Sequence, residues 1–147
     1  MRKLAYVAIV VAAGLAQAGA TALPGGTFTG TAEWRGAGGM TGTYTVERTF
    51  DGNTMRSKFA WNEGKPRAEE HVLTFSLGTE PTFEVKDGQG QVVGKGHCFE
   101  DACAYRADFG KVSVDETFRW SGDTLTVLGA KSGPGFSVVW KEALHTR

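Results

Sequence analysis

The chain has 147 residues, with 16 basic side chains against 16 acidic ones and no net charge. A balanced chain without a basic cluster offers no electrostatic case for nucleic-acid binding. This length suits one domain, large enough to bury a core without many disulfides.

Taken in chain order, Arg2 and Lys3 precede an apolar run from Leu4 to Leu15, and Ala16-Gln17-Ala18 or Ala18-Gly19-Ala20 follows as a small-residue cleavage site. This is the pattern of a cleavable signal peptide over residues 1–20, with a single domain over 21–147. The apolar run is shorter than the roughly 20 residues that a spanning helix needs. No cysteine follows it for lipid attachment, and no later segment reads as a membrane span. The expected location is therefore secreted or periplasmic, without stable membrane insertion. Loss of Arg2 and Lys3 would leave 14 basic against 16 acidic residues, a formal charge of −2.

Glycine, 21 residues in all, recurs in turn-like clusters. They fall at 36–39, 51–53, 62–66, 78–81, 87–90, 109–111, 121–123 and 131–135, and the loop between Cys98 and Cys103 makes nine. Nine turns divide the rest into ten short segments, and turn signals at this spacing argue for an all-β sandwich or barrel. Most segments alternate as half-buried strands do. Phe28, Gly30, Ala32 and Trp34 share one face; Tyr44, Val46, Arg48 and Phe50 another; then Met55, Ser57, Phe59 and Trp61. His71, Leu73, Phe75 and Leu77 follow, then Phe83 and Val85. The glycines at 94 and 96 blur the faces of 91–97. Cys103, Tyr105, Ala107 and Phe109 alternate again, as do Val112, Val114, Glu116, Phe118 and Trp120. Leu125 with Val127, and finally Phe136, Val138 and Trp140, close the set.

Short connections make sequence neighbours spatial neighbours, which describes an antiparallel meander of about ten strands. Closure into an up-and-down barrel, full or half-open, would remove its edges. Cys98 and Cys103 lie across one hairpin and are expected to form a structural disulfide, since the spacing is C-x4-C and the protein is read as exported.

This architecture resembles the calycins, namely the lipocalins and fatty-acid-binding proteins, whose meandering barrels enclose small apolar ligands. The resemblance spans the whole chain after the signal. Where lipocalins carry G-x-W on the first strand, this chain has Ala32-Glu33-Trp34, with Gly30 four residues before the tryptophan. Where fatty-acid-binding proteins carry a helical lid, only the glycine-rich 35–40 stretch stands.

Polar residues on apolar faces are the informative ones: Arg48, Glu116, His71 and Tyr105. Burying a charge is costly unless it is paired, so Arg48 and Glu116 are expected to meet each other or a ligand. In one arrangement they form an interior pair that fixes strand register, with Tyr105 nearby. In the other, Arg48 and Tyr105 receive the carboxylate of an apolar ligand, as the resemblance to fatty-acid-binding proteins implies. Phe59, Trp61, Phe75, Phe118 and Trp140 would then bury the ligand's tail.

No nucleophile elbow, phosphate loop, dinucleotide fingerprint or zinc-protease motif is present, so no catalytic residue, cofactor or metal ligand is assigned. The reading is an exported binding protein for a small apolar or amphipathic molecule. Two alternatives stand beside it. One is a packed barrel acting on a protein partner through the 98–103 hairpin. The other is a haem binder through His71, resembling the ten-stranded nitrobindin barrels.

Overall fold

A computed structural model describes residues 22–61 and 66–147, so the expected signal segment lies outside the described residues. Ten strands follow one another: β1 Gly26–Gly36, β2 Thr41–Asp51, β3 Thr54–Trp61, β4 Arg67–Phe75, β5 Thr82–Lys86, β6 Val92–Cys98, β7 Ala102–Phe109, β8 Val112–Ser121, β9 Thr124–Gly133 and β10 Phe136–Thr146. Each pairs antiparallel with its sequence neighbours, and β1 pairs with β10 to close the barrel. The all-β meander read from the turn spacing is therefore the fold.

Eight of the nine turn segments mark junctions between consecutive strands, and residues 62–65 of the ninth lie outside the described residues. Two of the four two-residue hairpins among the described residues join Phe109 to Val112 and Ser121 to Thr124, and their first loop residues, Gly110 and Gly122, have φ of 66° and 58°. A side chain there would clash with its own backbone, so glycine sets these turns. The 35–40 stretch carries no lid, only one 3₁₀ turn at Ala37–Gly39.

Two details extend the sequence reading. The final strand does not stop at Trp140 but continues to Thr146, adding Glu142 and Leu144 to the inward row. The blurred segment is β6, whose inward positions are glycines. A Cβ at Gly96 would come within 2.3 Å of the Phe83 ring, so its absence makes room for that ring.

The interior is filled unevenly. One end is packed solid by a chain of aromatic contacts. Phe50 meets Phe28 and Phe118, and Phe75 meets Phe83 and Phe118, with ring centroids 5.3–6.1 Å apart. Leu125, Val127 and Leu144 complete that end. The Cys98–Cys103 disulfide bridges facing residues at the β6–β7 hairpin. The wall itself is uneven too. The β4–β5 ladder holds only Thr74↔Lys86 and Phe75↔Val85, while β9 and β10 share ten paired positions.

Candidate functional site

Between the packed end and the open end lies a layer of buried polar side chains. Arg48 on β2 reaches across the interior to Glu116 on β8 and Glu142 on β10, and all three are at most 4 % exposed. Its Nη1 and Nη2 each donate to one oxygen of Glu116 at 2.8 Å. Its Nε and Nη2 donate to the two oxygens of Glu142 at 2.6 and 2.8 Å. The remaining Nη1 hydrogen faces Ser57 Oγ at 3.3 Å, with Met55 Sδ at 3.4 Å. Bidentate pairing of this kind is the strong form of the Arg–carboxylate bond.

Small residues in the register let the other donors reach the same carboxylates. Glu116, Gly129, Trp140 and Trp34 stand side by side on β8, β9, β10 and β1. A Cβ at Gly129 would lie 2.1 Å from the Trp140 indole, so only glycine lets that ring lie across β9. There Trp140 Nε1 donates to Glu116 Oε2 at 3.3 Å. One layer away, Ala32 separates Glu142 from Tyr44, and Tyr44 Oη donates over it to Glu142 Oε1 at 2.9 Å. Tyr105, directly opposite Glu116, donates to its Oε1 at 3.1 Å.

The electrostatics follow from burial and from one cation facing two carboxylates. Burial lifts the Glu116 carboxyl above its ordinary value; Arg48 opposes the rise and Glu142 adds to it. For Arg48, burial alone would lower the value, but Glu116 and Glu142 outweigh it and hold the guanidinium well above its usual range. Burial, reinforced by the neighbouring carboxylates, pushes the Tyr44 and Tyr105 phenols well up. Both stay neutral donors at any physiological pH.

This layer is the floor of a cavity of about 460 Å³. Its wall is aromatic on the β2–β3–β4 side. Tyr44, Phe59 and Trp61 touch one another with centroids 5.5–5.9 Å apart, and the Arg48 guanidinium lies 5.6 Å below the Phe59 ring. Phe136, Val138 and Val114 line the facing wall, and Arg67, Glu69, His71 and Lys131 stand among the lining residues. Arg67 stacks on Trp61 at 4.5 Å, with most of its side chain in solvent.

Of the residues singled out from sequence, Arg48, Tyr105, Glu116, Phe59, Trp61 and Trp140 converge on this cavity. Phe75 and Phe118 do not. Both are fully buried in the packed half and touch other core rings. The interior Arg48–Glu116 pair forms, and every guanidinium N–H faces a protein acceptor. His71 stands at the mouth, half exposed, edge-on to Phe59 and 3.3 Å from Glu69. Sequence reading missed Glu142 and the polar role of Tyr44. The alternation Phe136, Val138, Trp140 pointed onward to Glu142, while Tyr44 was visible on the Arg48 face.

No protein-family model matches the chain, and no curated protein matches it in sequence. Among solved structures it is similar to an S-type phycobiliprotein lyase, CPES from Guillardia theta. The TM-score is 0.66 over 84 % of this chain and 88 % of that one, at 9 % identity. The fold is a calycin-like barrel. At that identity the likeness is one of fold. The Arg48–Glu116–Glu142 floor is described from this chain's own residues.

Proposed function

We propose that this protein is an exported binding protein that holds one small apolar or amphipathic molecule inside its barrel. One observation carries the reading: a half-filled interior whose cavity of about 460 Å³ is walled by aromatic rings and floored by a satisfied polar cluster. Ligand sites of this kind occupy about 300–1,000 Å³, are mostly apolar, and carry a few polar groups that fix orientation. A barrel serving only as a scaffold for its loops gains nothing from leaving one end unfilled, since empty apolar space forfeits packing energy. Export is part of the proposal and rests on the sequence of residues 1–20.

Native mass spectrometry of the protein from its host's exported fraction tests both parts. The expected result is a chain shortened near residue 20 with a bound small molecule of defined mass. Apolar dyes whose fluorescence rises on burial should bind and be displaced by that molecule. A bare mass with no uptake of dye, lipid or haem would overturn the binding proposal. Attention would then turn to the hairpin tip, where Phe99 is 75 % exposed beside the disulfide. An unshortened chain would overturn export.

A further inference from the structure

From a buried donor that the barrel leaves unpaired, we infer that the ligand carries a hydrogen-bond acceptor, a neutral carbonyl-type oxygen, seated against Trp34. The inference rests on the binding proposal above and names the ligand's chemistry.

Trp34 stands on the inward row of β1 and lines the cavity. Among the described residues, its Nε1 is the one buried side-chain nitrogen or oxygen without a hydrogen-bond partner. Leaving a buried donor unpaired is costly, and folded proteins pair nearly all of them. The sequence around Trp34 explains why the barrel does not pair this one. Its inward neighbours along β1 are Ala32 and Gly36, and its register partner on β2 is Gly42, so three sides offer no polar side chain. The fourth side is Trp140 on β10, and an indole donates without accepting. Trp140 gives its own N–H to Glu116, so the two facing indoles differ in one respect: one has a carboxylate and the other has none.

The ring's orientation agrees. Cζ3 of Trp34 lies 3.4 Å from where a Cβ of Gly36 would stand, and Nε1 is across the ring from that atom. The N–H is thus turned away from the rim. An occupant pressed against this wall is the natural source of its acceptor.

Charge narrows the acceptor to a neutral one. The floor beside Trp34 holds one guanidinium against two carboxylates, and each guanidinium N–H already faces a protein acceptor. Arg67 and Lys131, the other cations of the lining, are solvent-exposed. A carboxylate at Trp34 would add an anion to that layer and gain a single N–H in return. Burying an unpaired charge costs far more than burying a dipole that is hydrogen-bonded.

The test uses an isosteric pair, 2-acetylnaphthalene and 2-isopropenylnaphthalene, which differ in C=O against C=CH2. Affinities are read from displacement of a cavity-bound apolar dye, and the indole N–H groups are followed by proton–nitrogen NMR. The Trp34 signal is the one lost in Trp34→Phe. In the unaltered protein the ketone should move that proton signal downfield, and the alkene should not. Trp34→Phe, which keeps an aromatic wall, should weaken the ketone on the order of tenfold and leave the alkene within about twofold. Trp120→Phe, which alters a ring packed against Phe118 and outside the cavity lining, should change neither. A ketone that binds without moving the Trp34 signal would overturn the inference, and this reading needs no variant to fold. Equal loss of ketone and alkene in Trp34→Phe would overturn it too. Both outcomes leave the binding proposal standing, whereas failure of the dye and of both naphthalenes to bind would remove the two together.

Discussion

Replacing Arg48 with methionine keeps an unbranched side chain of similar reach and deletes the only cation of the floor. Glu116 and Glu142, whose side chains are 3 % and 0 % exposed, are then left without a counter-charge. The folded protein relieves this by taking up a proton at Glu116, whose carboxyl burial already raises. Holding one carboxyl protonated costs about 1.4 kcal/mol per pH unit above its ordinary value. With that value at 4.5, one carboxyl held neutral at pH 7 costs about 3.4 kcal/mol. That agrees with the 3–5 kcal/mol, roughly, typical of breaking a buried ion pair. A carboxyl raised in the folded state contributes stability that is present below its unfolded value and lost as pH rises toward its folded value. The penalty of Arg48→Met should therefore shrink to about 1 kcal/mol at pH 5. Urea unfolding at pH 5, 6 and 7, followed by tryptophan fluorescence, measures this directly. If the variant is unfolded at pH 7, acidification should refold it. A loss below about 1 kcal/mol at pH 7, or one independent of pH, would refute the assignment of Arg48 as the floor's counter-ion.

Tyr44 and Tyr105 have phenols raised above 10.0 by burial and by carboxylate neighbours, so their stabilisation is full below pH 10 and drains away above it. Tyrosinate absorbance from these two residues should stay silent through pH 10 and appear in one step with unfolding; gradual titration near 10 in the folded protein contradicts the buried hydrogen bonds. Gly129→Ala drives a methyl into the Trp140 indole, and overpacking of this kind should cost about 1–3 kcal/mol and shift the emission of Trp140 as it leaves Glu116. Unchanged stability and emission would mean the indole does not lie across β9. Phe75→Ala should cost about 3–5 kcal/mol by opening a hole in the packed half, with its effect read in urea midpoints. Phe59→Ala, on the cavity wall, should cost less than about 2 kcal/mol yet weaken dye binding severalfold, and the reverse pattern would place the hollow end wrongly.

The fold was legible because each of its parts is local. Alternation places Arg48 beside Val46 and Phe50 on an inward row, and glycine clusters mark most of the described turns whatever happens across the barrel. The site was legible only in part, because its chemistry depends on register. Nothing in the spacing says that Gly129 sits between Glu116 and Trp140, or Ala32 between Glu142 and Tyr44. Yet those two small residues decide which donors reach which carboxylates. Alternation is also blind to height along the barrel axis. Phe59 and Phe75 both face inward, and only the three-dimensional stagger of the strands puts one on a hollow wall and the other in solid core. Glu142 was within reach of the pattern, one step beyond Trp140. It reads as a surface charge near the chain terminus until β10 is seen to run its full length against β1.

The two-rung ladder between β4 and β5 gives the cylinder a zip. Among the described residues, the first half of β4 is paired on the β3 side alone, so parting that seam severs few backbone bonds, whereas parting β9 from β10 would sever a full row. Thermal breathing follows the weakest line, and here that line runs beside the Arg67, Glu69 and His71 side chains that line the cavity. Opening at that seam would leave the Arg48 knot between β2, β8 and β10 intact, so amide hydrogen exchange should be fastest along β4 and β5.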